Sequence, residues 1–304
     1  MAERKANMSK DDKSRNQKYL DLIIKKIEVC KAYKPKFGQG KEISFEEFQS
    51  LYGSDPFYSW FGLDNPLMYA AHKAAGGITS LYRQIGTGCE QLFRQIIRDQ
   101  FGLTAEQAKW AYKVESTKGK FRTLALDARV QVDDLSSDED KRKVREWMAR
   151  VASEMSIDPR IADALKGAVF EVRQGYKSKD SKRQNADIGN AGTAYKHGYL
   201  PVVVVLSTQI DSDVAERYIG AGWLLLRGHL SESPVSSTYA FCKYVLGYDL
   251  AAFLEKNSGN LKEAVDEVLE ALLKPIDQAD ISEETEAVDT IDGKDELESA
   301  DELE

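Results

Sequence analysis

Asp127, Glu171 and Arg173 are the residues whose types and spacing fit a definite chemistry. Asp127 lies in FRTLALDARVQVD, an alternating segment that predicts a strand. Leu124, Leu126, Ala128, Val130 and Val132 point one way; Thr123, Ala125, Asp127, Arg129 and Gln131 point the other, which puts Asp127 on the polar face. Glu171 lies in AVFEVRQ, a second predicted strand that stops at Gly175, with Val169, Glu171 and Arg173 on one face and Phe170 and Val172 on the other. A hard divalent cation such as Mg²⁺ takes oxygen ligands, usually one or two carboxylates completed by water and substrate phosphate. Carboxylates from adjacent strands, with a cation nearby to neutralise developing negative charge, are the minimum apparatus for metal-assisted phosphodiester hydrolysis. An ordinary strand-edge ion pair of Glu171 with Arg129 or Arg173 explains the same residues, and on spacing alone it is the better reading.

Directly behind the Glu171 strand comes GYKSKDSKRQNAD, a concentration of positive charge. If this junction of strand and helix faces DNA, Lys177, Lys179, Lys182 and Arg183 neutralise phosphates and make affinity salt-sensitive. Gln184 and Asn185 carry amides able to bond adenine bidentately, and Arg183 can do the same to guanine in the major groove. A charge run in isolation is more often a solvated helix start, and Asp187 stands at i+4 from Arg183, where it can simply pair with it. Next to a candidate metal site, the DNA-binding reading becomes the stronger one.

Several elements must position these groups. Residues 1–16 are charged and predict no structure; YLDLIIKKIEVCKAY then places Leu20, Ile23, Ile24 and Ile27 at helical spacing until Pro35, Gly38 and Gly40 stop it. An aromatic-rich stretch over 44–75, broken by Pro56 and Pro66, completes a helical subdomain over 17–79. Gly76 and Gly77 introduce a long helix that ends near Gly102. WAYKVES and FRTLALDARVQVD flank TKGK, a turn of hairpin length. Residues 134–166 predict a helical insert with Asp138 as N-cap and Trp147, Val151 and Met155 on one face. AVFEVRQ, a helix over 180–197 and the uninterrupted apolar run LPVVVVLS form a βαβ crossover with parallel strands. GWLLLRG adds a strand, and YAFCKYVLG and LKEAVDEVLEALL add C-terminal helices over 231–274.

This order, helix, two antiparallel strands, a further strand, a helix and a final strand, resembles the core of the PD-(D/E)xK nucleases over residues 80–207, within a core region of 80–230. The resemblance places Asp127 at the family's first acid and Glu171-Val172-Arg173 at its (D/E)xK motif. Within that family the segment is similar to type II restriction endonucleases that cut CCGG-like sites, which carry a basic, Asp-containing Gln-Asn run comparable to KSKDSKRQN. It implies an α/β fold with a restriction-endonuclease-like core, a mixed sheet flanked by helices, plus N-terminal and C-terminal helical additions. It also implies a glutamate on the first core helix near the metal, a position that Glu90 matches. Two departures stand out: no proline precedes Asp127, and the motif lysine is Arg173, which keeps its charge but cannot exchange a proton. Lys177 or Lys179, reaching back from the end of the strand, is the candidate replacement.

Composition bounds the remaining readings. The formal charge of −8 is concentrated at one end: residues 275–304 hold 13 acids and one lysine, so residues 1–274 carry 41 bases against 37 acids, a net +4. That tail predicts a disordered acidic extension. Cys30, Cys89 and Cys242 lie far apart without CxxC spacing, which argues against a zinc site or a disulfide framework and for free thiols in a reducing, cytoplasmic setting. No apolar run approaches the roughly 20 residues needed to span a bilayer, and no signal-peptide core is visible. His72, His197 and His229 share no ligand spacing. The GTG of GITSLYRQIGTGCEQ lacks the Lys-Ser/Thr of a phosphate loop, and the aromatics of FYSWFGLDNPLMY, which could stack on bases, predict core packing ahead of a subunit interface.

The expected function is therefore a type II, Mg²⁺-dependent, site-specific deoxyribonuclease acting on double-stranded DNA, as a homodimer or dimer of dimers and with no membrane. A repair or recombination nuclease on the same fold, and a catalytically inactive DNA-binding regulator, are the alternatives.

Overall fold

The computed structural model describes residues 10–115, 121–175 and 181–274. Helix α1 (Lys10–Glu28) buries Tyr19, Leu20, Ile23 and Ile27 along one face, and it begins within the stretch 1–16 expected to lack structure. Helix α2 (Phe45–Gly53) starts at a capping box in which Ser44 and Glu47 satisfy each other's backbone N–H groups. Both α3 (Pro56–Trp60) and α4 (Pro66–Phe101) carry proline at their first position, where the missing N–H costs nothing. The long helix therefore starts at Pro66, and Gly76 and Gly77, expected to introduce it, lie inside it. A Cβ at Gly76 would collide with the Tyr33 phenol and one at Gly77 with the Leu272 side chain. The pair marks a close approach of neighbouring chain, and the helix tolerates it.

By their contacts the residues form two compact units, one containing the chain up to Ile27 and Tyr82–Ala264, the other Glu28–Leu81 and the chain from Val265. In the second, Phe45, Phe48 and Tyr69 are buried, with Phe37 and Tyr52 against Phe48 at ring separations of 4.7 and 4.6 Å. The expectation that FYSWFGLDNPLMY packs as core holds for Tyr69 but fails for Phe57, Trp60 and Phe61, which are 57%, 82% and 68% exposed. Tyr58 stacks on Tyr52 at 4.6 Å, and residues 57, 60 and 61, at i, i+3 and i+4, share a different face of that turn.

The first unit holds the sheet. Strands β1 (Trp110–Glu115) and β2 (Phe121–Leu126) pair antiparallel, with Trp110 opposite Leu126, as the hairpin reading expects; residues 116–120 of its turn lie outside the described residues. After β3 (Ala128–Gln131) and a 3-10 turn at Val132–Asp134 come α5 (Asp138–Glu154) and α6 (Pro159–Asp163). The cap of α5 is Ser137, whose hydroxyl accepts the Asp140 N–H; Asp138, expected there, is the first helical residue. Then follow β4 (Gly167–Arg173), α7 (Ser181–Lys196), β5 (Tyr199–Val205), α8 (Ser212–Gly220) and β6 (Leu224–Leu226). The chain continues through α9 (Thr238–Phe241), a π-helical turn at Cys242–Leu246, α10 (Leu250–Lys256) and α11 (Ser258–Leu273). Neither α8 nor α10 is foreshadowed in the hydrophobic pattern.

The sheet order is β3-β4-β5-β6, with β3 antiparallel to β4 and the remaining pairs parallel, so this is an α/β protein with a mixed sheet flanked by helices. All seven residues of β5 are buried, the mark of a strand covered on both faces. On one face Val169, Val203 and Val205 pack with Ala191 and Ala194 of α7 and Val214 and Tyr218 of α8. On the other, Phe170 meets Phe93 of α4 at 5.4 Å and Phe241 of α9 at 5.6 Å. Among the described residues no helix is long and apolar enough to cross a membrane.

The strand expected over FRTLALDARVQVD is broken at Asp127 into β2 and β3. The cause lies in hydrogen bonding. The Val172 N–H, which an unbroken ladder would pair with a backbone carbonyl, donates instead to Asp127 Oδ2 at 2.7 Å, while the Asp127 N–H donates to the Phe170 carbonyl at 2.9 Å. A side-chain acceptor thus replaces a main-chain one at the break.

Candidate active site

The break brings the Asp127 carboxylate to the C-terminal end of β4, where Glu171 and Arg173 project from the same side of the strand. The Arg173 guanidinium is the hub. Its Nη2 contacts Glu171 Oε1, and its Nη1 lies 3.8 Å from Asp127 Oδ2, 3.8 Å from Glu90 Oε1 and donates to the Val172 carbonyl at 3.1 Å. Helix α4 supplies Glu90. Three carboxylates from a helix, a strand break and a strand therefore converge on one guanidinium whose side chain is only 10% exposed, and Glu171 beside it is 5% exposed.

The Glu171–Arg173 ion pair foreseen as the ordinary alternative is thus present, but as one arm of a larger cluster. Arg129 does not join it. Its Nη2 pairs with Asp134 Oδ2 at 3.3 Å and its Nε donates to the Gln107 carbonyl at 2.9 Å. One residue of the cluster carries no sequence expectation: Arg94, one turn beyond Glu90 on α4, donates from Nε to the Asp127 carbonyl. The signal for it was its i+4 spacing from Glu90, which puts both side chains on one helical face.

Of the remaining candidates, Lys177 and Lys179 lie outside the described residues. Lys182, Arg183, Gln184 and Asn185 fall on the first turns of α7. Their helix matches the one expected over 180–197 to within a residue at either end.

Donor chemistry decides which groups suit this site. Asp127 and Glu171 are oxygen donors on neighbouring segments of the sheet, the number and kind of protein ligands that Mg²⁺ commonly uses. Among the described residues no group of three or more His, Cys, Asp or Glu side chains is placed to hold a metal ion. Cys89 precedes Glu90, but burial first and then the Glu90 charge push its thiol up to about 12, which leaves it protonated and unsuited to nucleophilic work at neutral pH. The GTG at residues 86–88 lies inside α4 and forms no phosphate loop.

No family model, curated protein or solved structure matches the chain.

Proposed function

We propose that this chain is a Mg²⁺-dependent endonuclease of the site-specific restriction type, hydrolysing phosphodiester bonds of double-stranded DNA. The observation that carries the reading is the convergence of Glu90, Asp127 and Glu171 on the Arg173 guanidinium at the end of β4, directly before the basic segment that opens α7. Asp127 and Glu171 would hold the metal, with Glu90 supporting from α4. When bound, it supplies Lewis acidity to the phosphate and acidifies water. Hydrolysis forms one P–O bond from water and breaks one P–O ester bond. The negative charge that builds on the phosphate meets Arg173, a permanent cation that stabilises charge without moving a proton. The proton work falls to Lys177 or Lys179. Lys177, Lys179, Lys182 and Arg183 would contact phosphates while Gln184 and Asn185 read base edges. Two-fold symmetric sites would call for a homodimer or a dimer of dimers.

The substitution of arginine for the motif lysine, and its engagement with three acids, favours one second reading: a DNA-binding regulator that keeps the fold without cutting. Incubating plasmid with the protein in Mg²⁺ separates the readings. Discrete bands are expected; structure-dependent nicking would indicate a repair or recombination nuclease, and tight binding without cleavage a regulator. Lys179→Ala or Arg183→Ala should weaken DNA binding and reduce its salt slope by roughly one unit for each phosphate no longer neutralised. An unchanged slope would take the basic segment off the DNA.

A further inference from the structure

We propose that Arg94 is a positioning residue that sets the Asp127 carboxylate through the backbone, an inference that rests on the hydrolytic reading of the cluster. Asp127 stands at a strand break, between Leu126, the last residue of β2, and Ala128, the first of β3, and belongs to neither ladder. Three bonds fix it instead. Its N–H donates to the Phe170 carbonyl at 2.9 Å, its Oδ2 accepts the Val172 N–H at 2.7 Å, and its carbonyl accepts from Arg94 Nε. The first two come from β4, inside the sheet; the third comes from α4, outside it. Helix α4 thereby acts on the cluster twice from one face, sending Glu90 toward Arg173 and Arg94 to the carbonyl of Asp127. A guanidinium donor makes a charge-assisted bond that is stronger than a neutral one. Rotation of the Asp127 peptide would swing its carboxylate away from both Val172 and Arg173, and Arg94 opposes that rotation. Arg94 makes its bond to a main-chain oxygen, so its effect reaches the reaction through Asp127.

The test compares the full chain with Arg94→Ala and Arg94→Lys, lysine keeping a charged donor. The first readout needs no catalysis: hydrogen exchange at the Val172 N–H, with the Val203 N–H of β5 as internal reference. Arg94→Ala should speed exchange at Val172 relative to Val203, and Arg94→Lys should restore part of the protection. In cleavage, Arg94→Ala should lower kcat by about 10- to 100-fold and raise the Mg²⁺ concentration for half-maximal rate, the size expected for removal of a residue supporting a ligand, with KM for DNA unchanged. An unchanged Val172-to-Val203 exchange ratio would overturn the proposal, as would a fall in kcat with an unaltered Mg²⁺ requirement and no rescue by lysine. If the parental protein does not cleave DNA at all, the hydrolytic reading fails, and the exchange ratio still decides whether Arg94 positions Asp127.

Discussion

Two arginines on paired strands make opposite uses of their charge. Arg129 of β3, opposite Val169 in the ladder, takes one acid five residues away, Asp134, plus the Gln107 carbonyl, and both side chains of the pair keep 21% exposure. Arg173 of β4 sits deeper, at 10%, and gathers carboxylates from positions 90, 127 and 171. A local, half-buried pair is what stability alone selects. Bringing three acids together, with Glu171 buried and Glu90 and Asp127 half-buried, costs desolvation and mutual repulsion that a packed apolar cluster would avoid. Such groupings mark sites where chemistry sets the sequence. On the reading proposed above, β4 carries the reacting groups and β3 a structural ion pair, although the strands are neighbours.

That contrast is open to attack at several points. The largest effect is expected from Glu171→Ala, which should reduce DNA cleavage by more than the roughly 10- to 100-fold cost of losing a supporting residue, while Asp134→Ala leaves the rate unchanged; equal reductions would erase the distinction. In chemical denaturation Arg173→Ala should destabilise by about 3 kcal/mol, because it leaves the buried Glu171 without its cation. Arg129→Ala should cost about 1 kcal/mol, the worth of an ordinary hydrogen bond.

A third grouping gives a smaller, pH-dependent control. Burial raises the Asp99 pKa, but hydrogen bonds from Lys18, Tyr19 and Gln95, at 2.9, 3.0 and 2.7 Å, outweigh it and hold the carboxyl below its usual range. A depressed native pKa stabilises above the unfolded value, and that stability disappears as pH falls through the native one. Acid titration of stability should therefore show a decrement below the ordinary carboxylate range that Asp99→Asn removes, worth less than about 1 kcal/mol at this partly exposed site. Smallest of all, Trp60→Ser, at an 82% exposed position, should change stability by less than about 0.5 kcal/mol. A larger change would mean that Trp60 is covered after all.

Periodicity and local chemistry made much of this legible beforehand. The run LPVVVVLS is of the kind expected for a strand covered on both faces, which β5 is, and the helix expected over 180–197 corresponds to α7. Strand alternation placed Glu171 and Arg173 on one face of a strand, and there they are in contact. Other features depend on partners distant in sequence. Gly76 and Gly77 read as a helix start, and only the approach of Tyr33 and Leu272 explains them inside α4. Ser137 and Asp138 are both good caps, and only the Ser137 hydroxyl on the Asp140 N–H decides between them. The break at Asp127 and the Arg94 bond that stabilises it arise from interactions with β4 and α4 that no local pattern encodes.

The most direct test of the central claim is a side-by-side digest of supercoiled plasmid in Mg²⁺ by the parental protein, Asp127→Ala and Asp134→Ala, with DNA binding measured separately in Ca²⁺. The cluster on β4 predicts discrete fragments from the parental protein and from Asp134→Ala, and intact plasmid from Asp127→Ala despite retained binding. Cleavage by Asp127→Ala at the parental rate would contradict it.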